Sequence, residues 1–139
     1  TNSDDKDISL PLGGFDAWVI HIDDHGHLIW NKSFGGSEFD SAEQIRMLSN
    51  GNFGIVGNSR SNLNNSLKGE NDFWFLEVDN KANSKVYWQK TFGGSNIDIA
   101  KDFYQNNNNE IFIVGESQSS DFDVIINRGN NDLWMLKLK

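Results

Sequence analysis

The 139-residue sequence predicts an all-β chain made of repeated four-stranded antiparallel units, and three observations carry that prediction. The segment Trp30-Asn31-Lys32-Ser33-Phe34-Gly35-Gly36-Ser37 returns 58 residues later as Trp88-Gln89-Lys90-Thr91-Phe92-Gly93-Gly94-Ser95. An Asp-x-Trp opening occurs three times, at Asp16/Trp18, Asp72/Trp74 and Asp132/Trp134. Ile55-Val56-Gly57-Asn58-Ser59 is matched, again 58 residues on, by Ile113-Val114-Gly115-Glu116-Ser117.

Each predicted element follows from its own residues. Residues 1–14 are polar and then glycine-rich, with the only proline at Pro11, and read as a loop. Asp16 to Ile22 is rich in β-branched and aromatic residues and predicts a strand. Asp23-Asp24-His25-Gly26 is a turn with glycine where a positive φ is needed. His27 to Phe34 forms the next strand, alternating apolar and polar residues until Gly35-Gly36 close it. Phe39 to Leu48 is ambiguous alone, since Ala42, Ile45 and Leu48 also fit helical spacing. The turn signal Ser49-Asn50-Gly51-Asn52, followed by extended Phe53 to Gly57, makes it the first strand of a hairpin. Residues 58–71 are a long Asn- and Ser-rich connection. The cycle then restarts at Asp72, and a third copy begins at Asp132. Repeat copies therefore span about 15–71, 72–131 and a partial 132–139 within a single domain. Four short strands per period of about 58 residues indicate a propeller or a related array.

Composition sets outer limits on function. Twelve Lys and Arg against 20 Asp and Glu give a net charge of −8. That sign repels phosphate backbones and anionic lipid surfaces, so neither nucleic acid nor membrane insertion is expected. No apolar run approaches the roughly 18 residues of a membrane-spanning helix. The absence of cysteine removes thiolate metal sites and thiol nucleophiles together.

Taken together, the pattern resembles the bacterial β-propeller repeats of the seven-bladed SBBP type, with a strand order similar to that of kelch blades. The residues that carry the resemblance are Asp-x-Trp, x-Trp-x-Lys-x-Phe-Gly-Gly-Ser, x-x-Asp-x-Ala and Ile-Val-Gly-x-Ser. The resemblance implies blades of four antiparallel strands, with the Ala42 and Ala100 strands innermost. The Ile-Val-Gly strand would lie second, the Asp-x-Trp strand third and the Trp-x-Lys-x-Phe strand outermost. It also implies a secreted or cell-surface protein, a non-enzymatic scaffold for ligand or protein, and no cofactor. This chain holds strands three and four, one whole blade, then strands one to three, or about two and a quarter blades. A ring therefore needs other copies, with a homotrimer favoured, or the rest of a longer propeller. In a trimer each junction carries one surplus third-type strand.

Candidate chemistry is weighed against packing. Trp18, Trp74 and Trp134 are candidates for stacking on sugar rings, which would make the assembly a carbohydrate-binding lectin. Their recurrence at one blade position is, equally, what inter-blade packing requires, and that reading is preferred. Asp40 and Asp98 follow the Gly-Gly-Ser turns in register. As carboxylates they could serve acid–base or ligand-binding work, but they suit the capping of backbone N–H groups better. Asp121-Phe122-Asp123, with Asp4, Asp5 and Asp7 at a matching place, invites a calcium reading, which Ser61 and Leu63 break in the middle copy. His25 and His27 lie on one side of a hairpin beside His21, yet no third ligand is apparent, and an exposed polar face is expected. No metal site and no catalytic residue are expected.

Overall fold

The structure is a computed structural model that describes residue 1, residues 12–81 and residues 84–139. The expected loop around Pro11, the aspartates at 4, 5 and 7, and residues 82–83 of the longer second hairpin lie outside the described residues. Among the described residues, nine strands and one short 3₁₀ turn, Leu63–Asn65, make up the regular structure. They are β1 (Ala17–Ile22), β2 (Leu28–Phe34), β3 (Asp40–Met47), β4 (Phe53–Ser59), β5 (Asp72–Val78), β6 (Val86–Phe92), β7 (Asp98–Gln105), β8 (Ile111–Ser117) and β9 (Asp132–Leu138). The stretch 39–48, ambiguous by periodicity, holds the strand Asp40–Met47. Among the described residues no helix is long and apolar enough to cross a membrane.

The strands form three antiparallel sheets: β1-β2, then β3-β4-β5-β6, then β7-β8-β9. Every neighbour in a sheet is also a neighbour in sequence, so each connection is a hairpin or a local loop. At the tips of two hairpins Gly26 and Gly51 take φ of +84° and +83°, where a side chain would be strained. The Ile-Val-Gly motif has a different cause. A register shift lies between Ala42 and Gln44 on β3, and another between Ala100 and Asp102 on β7. These bulges push the first strand toward its neighbour. A Cβ on Gly57 would run into the Ser41 carbonyl, and one on Gly115 into the Ile99 carbonyl.

The sheets stack face to face in chain order, and strand alternation assigns each side chain to one junction. On β5, Trp74, Leu76 and Val78 face the first sheet, where they pack with Ala17, Trp30 and Phe34. Phe73 and Phe75 point the other way, onto Ala100, Phe103, Ile111 and Ile113 of the third sheet. Rings meet edge-on at Phe75–Phe103, 5.2 Å between centroids, and tilted at Phe73–Trp134, 4.6 Å. The central strand β5 is thereby covered on both faces, and Phe73, Trp74, Phe75 and Leu76 are each fully buried.

Polar groups lock the same junction. Asn58 accepts the Ala100 N–H at 2.7 Å and donates to the Ala100 carbonyl at 3.4 Å. The Arg46 guanidinium bridges both Asp102 oxygens at 2.9 and 3.1 Å and donates to the Phe103 carbonyl at 3.0 Å.

Replacing Trp74 by alanine is expected to lower stability by about 3–5 kcal/mol, the usual cost of emptying a buried aromatic site. Trp88→Ala, at a side chain 37% exposed, is expected to cost clearly less. Urea denaturation of both variants checks the order, and equal midpoints would contradict the packing described.

Candidate functional site

The recurrent acidic residues converge at the corners where one sheet passes to the next. The chain leaves β2 through Gly35-Gly36 and leaves β6 through Gly93-Gly94, turning into the following sheet each time. Asp40 opens β3 just beyond the first turn. One of its oxygens accepts the Gly36 N–H at 2.7 Å and the Ser61 hydroxyl at 2.7 Å, and the other accepts the Ser59 hydroxyl. Asp98 repeats this with the Gly94 N–H at 2.6 Å, the Ser119 hydroxyl at 2.9 Å and the Ser117 hydroxyl. Both carboxylates are buried.

A second aspartate backs each clasp from the preceding sheet. Asp16 accepts the Leu12 N–H and Asp72 the Lys68 N–H, both at 2.8 Å, while Asp132 accepts the Arg128 N–H at 2.5 Å. The chain just before these residues joins the next sheet. The Phe15 carbonyl accepts the Asp40 N–H at 2.6 Å, and the Asn71 carbonyl accepts the Asp98 N–H at 2.7 Å. The remaining oxygen of Asp16, and that of Asp72, is buried with no hydrogen-bond partner. A Cβ on Gly93 would lie 2.5 Å from both Asp72 Oδ1 and Asp98 Oδ2, so only glycine fits between the two carboxylates.

Burial pushes the Asp72 carboxyl up to about 6; the Lys68 N–H opposes this and the charge of Asp98 adds to it. Elsewhere the shifts run the other way. The Arg46 guanidinium holds Asp102 below its ordinary value, and Lys137 with Asn106 does the same for Glu110.

The remaining candidates fall into place around these corners. Asp40, Asp98 and Trp74 are sealed from solvent; Trp18 and Trp134 are half-buried. Asp121 and Asp123 are not free ligands. Asp121 accepts the Ser95 N–H at 2.8 Å, while Asp123 accepts the Gly93 N–H at 3.2 Å and pairs with Lys68. Their equivalents also need correction. Ser61 plays the part of Ser119 at the clasp, so by the 58-residue offset Asp121 and Asp123 answer to Leu63 and Asn65 rather than to Ser61 and Leu63. The extra residues of the second connection therefore follow the clasp.

At the first hairpin, His25 and His27 are exposed and their rings stack 6.0 Å apart. His25 pairs with Asp24 at 2.7 Å and His27 with Asp23 at 3.0 Å. Asp23, Asp24 and His25 offer ligand atoms within 4.8 Å of one another, but backbone and imidazole donors already engage the Asp23 carboxylate. His21 departs from the expected polar face. It packs edge-on against Trp30 at 5.6 Å and Phe53 at 5.3 Å.

Sequence reasoning passed over one concave surface. A cleft of about 490 Å³ at the hairpin ends is lined by Arg46, Ser49, Tyr104, Gln105, Asn106 and Asn109, among others. Tyr104 is 61% exposed there. The asparagine run at 106–109 was the available signal, but it reads first as a turn. A scan against protein-family models and a search of curated proteins found no match for the chain.

The raised Asp72 carboxyl makes stability pH-dependent with a definite sign. Unfolded, the group ionises near 3.8; folded, it keeps its proton to about 6. Its contribution is therefore fully present below pH 4 and is lost as pH rises through 6. At about 1.4 kcal/mol per unit, the loss amounts to about 3 kcal/mol. Asp72→Asn is expected to gain stability over the parent across that window, seen as a widening gap between their urea midpoints from pH 4 to pH 7. A constant gap would refute the assignment.

Proposed function

We propose that the chain is a non-enzymatic repeat scaffold of the bacterial propeller type, displayed outside the cell, which binds a ligand or protein once assembled. The open faces of the stack are covered by other copies of the chain, head to tail with a trimer favoured, or by the rest of a longer propeller. The observation that carries this reading is the match between the two open faces of the stack. Trp18, Ile20 and Ile22 on the outer face of β1 stand where Trp74, Leu76 and Val78 stand on β5, and where Trp134, Leu136 and Leu138 stand on β9. The two later sets each dock onto a neighbouring sheet. At the far end Leu133 and Met135, 84% and 59% exposed, occupy the places of Phe73 and Phe75, which receive such a set. One end thus carries the docking residues and the other the surface that accepts them. A contact of this kind joins unlike faces and closes into a ring when the rotation permits.

Further support comes from where the recurrent polar residues are spent. Asp40, Asp98 and their serines satisfy one another at the corners, so the repeated motif serves folding. The propeller comparison is fold-level analogy, and ligand identity has to come from the site.

Light scattering on a sizing column tests the assembly. The expected mass is a discrete multiple of the 15.7 kDa chain, namely three copies, and Met135→Asp is expected to release monomers that keep their β signal. A monomeric parent would overturn the head-to-tail reading.

The cleft around Tyr104 favours one second reading, a carbohydrate-binding lectin. An exposed aromatic ring beside several side-chain amides is the combination that stacks on a sugar and hydrogen-bonds its hydroxyls. On this reading a glycan array gives signal that Tyr104→Ala abolishes and Trp74→Phe leaves unchanged. A blank array removes it.

A further inference from the structure

We infer that the cleft between the ends of the β3–β4 and β7–β8 hairpins takes an N-acetylated sugar, held through its acetamido group. This rests on the carbohydrate reading above and adds the class of sugar to it.

The cleft is built before any ligand arrives. Both of its walls are hairpins described throughout, with β3 paired to β4 and β7 to β8. Side-chain contacts tie one wall to the other. The Ser49 N–H donates to Gln105 Oε1 at 2.8 Å, and the Ser49 hydroxyl donates to Asn109 Oδ1 at 2.6 Å. Arg46 reaches across to the Asp102 carboxylate and the Phe103 carbonyl. The volume of about 490 Å³ lies within the roughly 300–1,000 Å³ common for small-ligand sites.

Hydrogen bonding inside the cleft is lopsided. Its acceptors are largely taken. Gln105 Oε1 and Asn109 Oδ1 both serve Ser49, and Asn106 Oδ1 accepts the N–H groups of Asn108 and Glu110 at 2.9 and 3.0 Å. Donors remain. Among the described residues, the side-chain NH₂ of Asn109 and Nη1 of Arg46 meet no acceptor. A ligand that matches this surface brings acceptors. A sugar hydroxyl both gives and takes, whereas the carbonyl of an acetamido group only accepts. A carboxylate would accept too, but Arg46 already faces Asp102 and the chain as a whole carries a charge of −8.

The apolar part of the lining points to the same group. Met47, 65% exposed, and Phe103 line the cleft beside the amides. An acetamido methyl gains from covering such a surface, and a hydroxyl at the same ring position does not.

The test is an NMR titration of the full chain with tri-N-acetylchitotriose and with cellotriose. These trisaccharides share linkage and ring stereochemistry and differ in carrying an acetamido group or a hydroxyl on each ring. The expected result is saturable binding of the acetylated sugar, with amide shifts centred on residues 46–49 and 103–109. Cellotriose is expected to bind about tenfold more weakly or worse, the effect of a hydrogen bond lost with its partner left unpaired. Asn109→Asp keeps the acceptor for Ser49 but turns the free donor into an acceptor, and aspartate tolerates the φ of +64° there. That variant should melt like the parent and bind the acetylated sugar no better than cellotriose. A variant that keeps the preference overturns the inference, as do shifts that lie outside the cleft. Equal binding of the two sugars by the parent also overturns it and leaves the carbohydrate reading standing. Binding of neither overturns it as well, and the glycan array then shows whether the carbohydrate reading falls with it.

Discussion

The structure depends on burying a carboxylate at each corner between sheets and surrounding it with donors. Taking a carboxylate out of water costs several kcal/mol even after relaxation. Asp40 and Asp98 offset that cost with one backbone N–H and two serine hydroxyls each, and charge-assisted bonds of this kind contribute about 1.5–3 kcal/mol apiece. The donors come from three parts of the chain: the glycine turn before the strand, the end of the second strand, and the loop that follows it. One side chain thereby fixes where a sheet begins, which residues end its second strand and how the chain leaves it. Asp16 and Asp72 act differently. Each closes a loop with one oxygen and leaves the other unpartnered against the next clasp. The price is visible at Asp72, whose carboxyl resists ionisation.

Much of this was legible in the sequence because it is written more than once. A single Asp after a glycine turn says little, but Asp40 and Asp98 in register point to caps on backbone N–H groups; their serine partners, 19 and 21 residues on, come from the structure. The strand order within the central sheet is the one the resemblance implied, and strands adjacent in sequence pair even across the long Asn- and Ser-rich connection. The alignment of Asp121 failed for a physical reason. The connections differ in length, and only the hydrogen bonds of Ser61 and Ser119 show that the extra residues follow the clasp. His21 was read from its polarity, whereas its ring is used as an aromatic surface between Trp30 and Phe53. Concave surfaces such as the one at Tyr104 depend on how neighbouring hairpins lean together, and no local pattern encodes that.

Position in the stack decides what a repeated residue does. Ala42 and Ala100 are equivalent, yet Ala100 is fully buried beneath Asn58 and Ala42 is exposed, because the first sheet places no strand above it among the described residues. Trp74 is fully buried between two sheets, while Trp18 is half-buried. The side chains are the same, and the number of adjacent sheets sets their burial. This is the behaviour of a quasi-one-dimensional array, in which stability is a sum of units and nearest-neighbour interfaces.

In such an array folding and association are connected. The two internal junctions each bury aromatic and branched side chains on both faces. The two outer faces hold residues of the same kind that remain exposed, among them Ile20, Ile22, Leu133 and Met135. Each such side chain contributes roughly 1.5–3 kcal/mol when buried. Two such side chains at each end give about 3–6 kcal/mol for a further sheet docked there, which reaches the lower part of the roughly 5–15 kcal/mol of a typical domain. For the terminal sheets, order and partnership are then one equilibrium: a neighbour that covers Leu133 and Met135 also holds β9 on β8, and one that covers Trp18 also holds β1 on β2. The corners set the direction in which neighbours are added, because each clasp joins the opening of one sheet to the close of the sheet before it.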